Sequence, residues 1–225
     1  MNGWNVSGVV QKVIDRARKS ILLARAFQPF AAPPEEISNV FRFRRILVPL
    51  DGSQRAESVL PTVTALAQYY DAEVVLVHIV AKPESIQRMP LAARDAAFLD
   101  QVVERNRAQA IQYFAELQPR LPMVSHLQIE VGASVAAKLH EVVEQANADL
   151  VVLSAHGHSC QRQWSYGSVT ISFIAYGTTP LLILQDLPSH EIALSKAEQM
   201  SEVTQPWSPS WRDRTDTESM AANAV

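Results

Sequence analysis

Cysteine occurs once, at Cys160, so no disulfide can form within the chain and a reducing compartment is the expected home. Glycine is also scarce, at seven residues, which gives weight to any place where two of them fall close together. No apolar run approaches the ~18 residues that a membrane-spanning helix needs. Basic residues do not predominate: 20 Lys and Arg stand against 23 Asp and Glu, for a net charge of −3, and no basic stripe is visible. Nucleic acid is therefore not an expected partner. The start, Met-Asn-Gly-Trp-Asn, lacks the basic and apolar regions of a secretion signal, so a cytoplasmic protein is the expectation. Two catalytic signatures are missing as well. There is no G-x-x-x-x-G-K-S/T phosphate loop and no G-x-S-x-G nucleophile elbow, so no enzyme activity is expected.

What is present is globular: 48% apolar and 19% charged residues over 225 positions. That length holds one domain of about 150 residues plus appendages. Residues 1–25 carry a helical pattern (Val9, Val10, Val13, Ile14, Ala17) and then the run Ile21-Leu-Leu. Residues 26–42 read as a linker, because three prolines between Phe27 and Pro34 oppose regular structure. From there to residue 186 strands alternate with helices. Arg45 to Leu50 is a buried strand that ends at Asp51-Gly52-Ser53, and a helix is expected from about Ser58, with Pro61 in its first turn. Glu73 to Val80 is β-branched and reads as a strand, Lys82 to Leu91 as a loop, and Ala92 to Leu117 as a long helix. Leu127 to Val131 is the next strand, and Ser134 caps a helix that buries Leu139, Val142 and Val143. Residues 187–225 form a polar tail.

The most informative stretch runs from Asp149 to Leu184. Leu150 to Leu153 is a short apolar run of the kind buried in parallel sheets, and Gly157 opens a turn after it. After a gap of nine residues, Gly167-Ser168 opens an amphipathic segment. Small residues at a strand exit, followed by glycine and a hydroxyl at a helix start, suit a phosphate group. Glycine lets the backbone come close, and the helix N-terminus offers N–H donors and the positive dipole end. Strand–helix alternation predicts an α/β fold with a parallel sheet and right-handed crossovers. Ligands of such sheets sit beyond the strands' carboxyl ends, where the winding reverses. If the strands before Asp51 and Gly157 flank that reversal, a carboxylate faces a glycine-lined cradle across one crevice.

These residues resemble the universal stress protein family. The likeness covers Phe43 to Gln185. It rests on Arg-Ile-Leu-Val-Pro-Leu-Asp-Gly-Ser, Val-Val-Leu-Val-His-Ile, Ala-Asp-Leu-Val-Val-Leu-Ser-Ala-His-Gly, and the Gly-Ser-Val segment ending in Thr-Pro-Leu-Leu-Ile-Leu. The family's nucleotide signature is G-x-x-G-x9-G-S/T; this chain has Gly157, Gly167 and Ser168 but carries Ser154 at the first glycine. The resemblance implies a Rossmann-like, three-layer fold whose five-stranded parallel sheet runs in the order 3-2-1-4-5, in residues 43–186. It implies ATP (or AMP or ADP) as ligand, with Mg held through the phosphates, and sensing or regulation in a stress response without efficient turnover. The positions that would hold the nucleotide are Pro49, Asp51, Ile79, Ser154, Gly157, His158, Gly167, Ser168 and Val169. The resemblance also implies an alternative, a dimeric protein-interaction module of the kind expected of members that lack the glycines and bind no nucleotide.

Several residues have a plainer reading. Asp51 also suits an Asx turn, Ser168 a helix cap, and His78 a core histidine at the end of an apolar strand. His156, His158 and Cys160 form an H-x-H-x-C run, but no further cluster completes a metal set. The resemblance also implies a homodimer paired along Pro180 to Leu184, an apolar run that would otherwise be a bare sheet edge. A competing partner lies within the chain. Shifting the sequence by 160 places Trp4 on Trp164, Gly8 on Ser168, Ile14 on Ile174, and Ile21-Leu22-Leu23 on Leu181-Leu182-Ile183. Residues 1–25 therefore read as the remnant of a second, tandem domain, expected to dock its strand beside the final strand.

Overall fold

The computed structural model describes residues 8–17, 19–24, 42–82, 93–123, 125–157 and 166–185. All of these fall within the unit Met1–Ala193, and Leu194–Val225 lies outside them. Also outside are His158, Cys160, the expected loop 83–91, nearly all of the expected linker 26–42, and the tail 187–225.

In chain order the elements are α1 (Gly8–Ala17), β1 (Ile21–Leu23), β2 (Arg45–Pro49), α2 (Gln54–Glu57), α3 (Leu60–Tyr70) and β3 (Glu73–Ala81), followed by α4 (Ala93–Leu117) and β4 (Ser125–Gly132). The chain goes on through α5 (Val135–Gln145), β5 (Leu150–Ser154), α6 (Ser168–Tyr176) and β6 (Leu181–Leu184). The strands form one sheet in the order β1-β6-β5-β2-β3-β4. All neighbours are parallel except β1, which runs antiparallel to β6. The expected sheet of five strands is thus corrected to six, and its order differs from the five-strand order by the arm strand at the β6 edge. The reason is physical. A terminal apolar strand leaves a row of backbone donors and acceptors open, and Ile21–Leu23 satisfies them.

Both faces of the sheet are buried, so β2, β3 and β5 read as unbroken apolar runs rather than alternating ones. The alternation of side chains sorts them into two layers. Ile46, Val48, Val74, Leu76, Leu150 and Val152 point to the side covered by α3 and α4, with Val63, Phe114 and Leu117. Leu47, Val75, Val77, Val151, Leu153, Leu181 and Ile183 point to the other side, covered by α5 and α6 with Leu139, Phe173 and Ile174. Ile14 of the arm belongs to this second layer and is 1% exposed, so α1 shares the domain's core rather than lying on it.

Three local features place the site. First, the single helix expected after β2 is two. Ser53 caps α2 by accepting from the Ala56 N–H, and α3 then starts at Leu60 with Pro61 in its first turn, where a missing N–H costs nothing. Second, Ser134 is the N-cap of α5, accepting from Ala137 N. Third, Asp149 accepts from Arg44 N at 2.7 Å and Arg45 N at 2.9 Å, so one carboxylate ties the start of β2 to the start of β5. From β2 the chain first builds outward through β3 and β4, then returns to lay β5 on the other side of β2. The winding therefore reverses between β2 and β5, and their carboxyl ends open on the crevice described next.

Candidate functional site

Beyond the ends of β2, β3 and β5 lies a crevice of about 300 Å³. Its lining includes Pro49, Asp51, Ile79, Ser154, Gly157, Gly167, Ser168 and Val169. Sequence reasoning had singled out each of these, and the fold brings them together. His158, the ninth, lies outside the described residues. The floor is apolar, made by Val77, Ile79, Leu139 and Leu153. The rim carries polar backbone and hydroxyls.

Asp51 stands on the turn after β2. Its Oδ1 accepts from Ser53 N at 3.0 Å and from Ser53 Oγ at 2.6 Å, which is an Asx turn. The plainer reading of Asp51 therefore holds, yet the same residue also walls the crevice. Its other oxygen lies against Gly157: a Cβ added there would collide with Asp51 Oδ2. Glycine at 157 thus leaves room for the Asp51 carboxylate, and a larger residue would have to displace it.

Gly167 differs. Its φ is −69°, and a Cβ there would meet nothing nearer than Ala155 O at 3.6 Å. Neither backbone conformation nor packing demands glycine at this position. Gly167 is the N-cap of α6 and offers no side chain as a cap. Ser168 is the first helical residue and is exposed; the cap reading of Ser168 is corrected accordingly. The first turn of α6 therefore presents N–H groups that have no acceptor within the helix, at the positive end of its dipole.

Ser154, the departure from the family signature, has its hydroxyl turned to the loop. Its Oγ donates to the carbonyl of His156, and the residue is buried. Thr170, to which sequence reasoning gave no role, donates from Oγ1 towards Ser154 O (3.1 Å) and Ala155 O (3.2 Å). Gly167 N donates to Ala155 O at 2.8 Å. These bonds lash the exit of β5 to the start of α6. The signal for Thr170 was its place three residues beyond Gly167, in the first turn of the helix.

His78 is half-buried, with Nδ1 2.8 Å from Leu50 O and its ring edge-on to Phe114, a satisfied histidine. Burial first, then the charges of Glu57 and Asp51, hold the Tyr113 phenol above its ordinary range, so it remains a neutral hydroxyl. Among the described residues no group of three or more His, Cys, Asp or Glu is arranged to hold a metal ion. No described helix is long and apolar enough to cross a membrane.

A mostly parallel α/β sheet with a crevice at its winding reversal is a Rossmann-like architecture. Comparison with known proteins gives the particular family. Residues 42–185 match the model of the universal stress protein family, and the chain belongs to that family. Among solved structures, the universal stress protein UspA of Lactobacillus plantarum is similar at 19% identity and a TM-score of 0.57, over 64% of this chain and 99% of that one. A protein of unknown function from Pseudomonas aeruginosa PAO1 is similar at 14% identity and a TM-score of 0.56. That likeness takes in 88% of this chain and spans 61% of the longer one. The comparison with curated proteins found no match.

Proposed function

We propose that the chain is an adenine-nucleotide-binding universal stress protein, acting as a sensor or regulator in a stress response without efficient turnover. One observation carries this reading: the turns after β2 and β5 share a single crevice with the N-terminus of α6. Asp51 supplies an acceptor for ribose hydroxyls, and the apolar floor around Ile79 suits a base. The backbone at Gly157 and Gly167-Ser168-Val169 receives phosphate, because N–H groups in the first turn of α6 have no acceptor within the helix and the helix dipole favours an anion. Gly167 adds support. Since the protein itself leaves room for a Cβ there, bare backbone serves the approach of a ligand. ATP, ADP or AMP fits this arrangement, and Mg would be held by the phosphates of the nucleotide.

Ser154 is compatible with binding, since its hydroxyl is engaged with His156 O. The test is mass spectrometry of nucleotide released from freshly purified, denatured protein, followed by calorimetry with ATP, ADP and AMP. Asp51→Ala should weaken binding about tenfold, the low end of the worth of one hydrogen bond to a charged group. Protein that carries no nucleotide and binds none would favour the alternative, a protein-interaction module.

The arm α1–β1 we read as the remnant of a second such domain, and the likeness of 88% of the chain to a longer protein supports this. Dimerisation along Leu181–Leu184 would then require release of the arm from that edge.

A further inference from the structure

We propose that the N-terminal arm is a positioning part of the crevice: through Tyr166 its docking is coupled to the order of the backbone where α6 begins. The observations form a closed chain. Tyr166 is buried, and its hydroxyl donates to the carbonyl of Ile14 at 2.8 Å. Ile14 lies in the last turn of α1, so this bond reaches the helix backbone near its carboxyl end. Both partners are buried, so the bond is shielded from water and joins the buried end of α1 to the segment before α6. Tyr166 immediately precedes Gly167, whose N–H holds Ala155 O. The N–H of Ala155 in turn holds Leu184 O of β6, and β6 carries the arm strand on its far edge. Ser20 adds a tie, accepting from Gln185 N at 3.1 Å. The arm therefore grips the crevice backbone from two sides, at Tyr166 and along β6.

The consequence for ligand rests on the nucleotide reading above. A ligand that needs the ordered backbone at Gly157 and Gly167 binds the arm-docked state better, and by linkage it tightens the arm to the same degree.

Hydrogen exchange on the full chain decides the coupling without any ligand. Tyr166→Phe keeps the ring and removes only the hydroxyl. It should lower protection both in residues 8–24 and at the crevice backbone, residues 155–157 and 167–170. Ile14→Ala loosens the arm by a different contact and should lower protection at the same crevice amides. Loosening confined to the arm in both variants overturns the proposal. So does crevice loosening with Tyr166→Phe but not with Ile14→Ala, since Tyr166 would then act without the arm. Calorimetry with AMP and ATP is the second readout: each variant should bind about fivefold more weakly, the worth of one ordinary hydrogen bond. A wild-type chain that binds no nucleotide removes the ligand reading, while the exchange experiment still decides the coupling.

Discussion

Leu22 of β1 lies directly opposite Leu182 of β6, the residue 160 places further along the chain. Around this pair the register is self-equivalent, for Ile21 faces Ile183 and Leu23 faces Leu181. The same shift of 160 carries Gly8, where α1 starts, onto Ser168, where α6 starts. It also carries Ile14 onto Ile174, and the two are 1% and 2% exposed. A local two-fold relation between arm and domain is what a strand paired with a copy of itself would produce. It is the main support for reading the arm as a second-domain remnant.

Removing residues 1–24 should expose the β6 edge and strip Ile14 from the core. Burial of one isoleucine is worth about 1.5–3 kcal/mol, so the melting temperature should fall by several degrees. Light scattering should also show dimers or larger species formed along the uncovered strand. An unchanged melting temperature and mass would make the arm an idle appendage.

Gly157→Ala should push the Asp51 carboxylate away from Ser53 and destabilise the protein by about 1 kcal/mol, the scale of one hydrogen bond. The cost should shrink when Asp51 is already alanine, as a double-mutant cycle by urea unfolding will show. Gly167→Ala, by contrast, meets only ordinary contacts and should leave stability nearly unchanged. Gly167→Val should nevertheless abolish ATP binding in calorimetry, because its bulk fills the phosphate approach.

Ser154→Gly restores the family's first glycine but deletes the bond to His156 O. We expect a loss of about 1–2 kcal/mol, from the hydrogen bond and from glycine's extra freedom in the unfolded chain. Nucleotide affinity should change less than threefold, because the hydroxyl already faces the loop. A tenfold gain in affinity would show that Ser154 obstructs the ligand.

His140 links α5 to α6, with Nε2 3.1 Å from Ser172 Oγ and its ring 4.3 Å from that of Phe173. Burial depresses its pKa below the ordinary value of about 6.5, and Glu144 and Ser172 oppose the shift only in part. The unfolded chain therefore binds the proton more readily than the folded one. Stability from this group is present above about 6.5 and is lost as the pH falls from there towards the folded value. His140→Gln should flatten the fall in melting temperature between about pH 7.5 and 5.5. Parallel curves for the two proteins would remove His140 from the account.

The sequence by itself determined the alternation of strand and helix, because apolar runs and capping residues are local. Ser53 and Ser134 announce helix starts by their own side chains, and Arg45–Pro49 and Leu150–Ser154 read as buried strands since both faces are covered. It also marked Asp51, Gly157, Gly167 and Ser168, whose residue types carry a turn or phosphate chemistry wherever they occur. Only the tertiary structure decided what those residues do for one another. That Gly157 leaves room for the carboxylate of Asp51, more than a hundred positions earlier, is a contact no local pattern records. The bond from Tyr166 to Ile14 is likewise set by packing between distant segments, whereas the place of the arm strand beside the final strand could be read from the shift of 160. Hydrogen bonds and burial act through space, so their partners are chosen when the sheet closes and not when the chain is read.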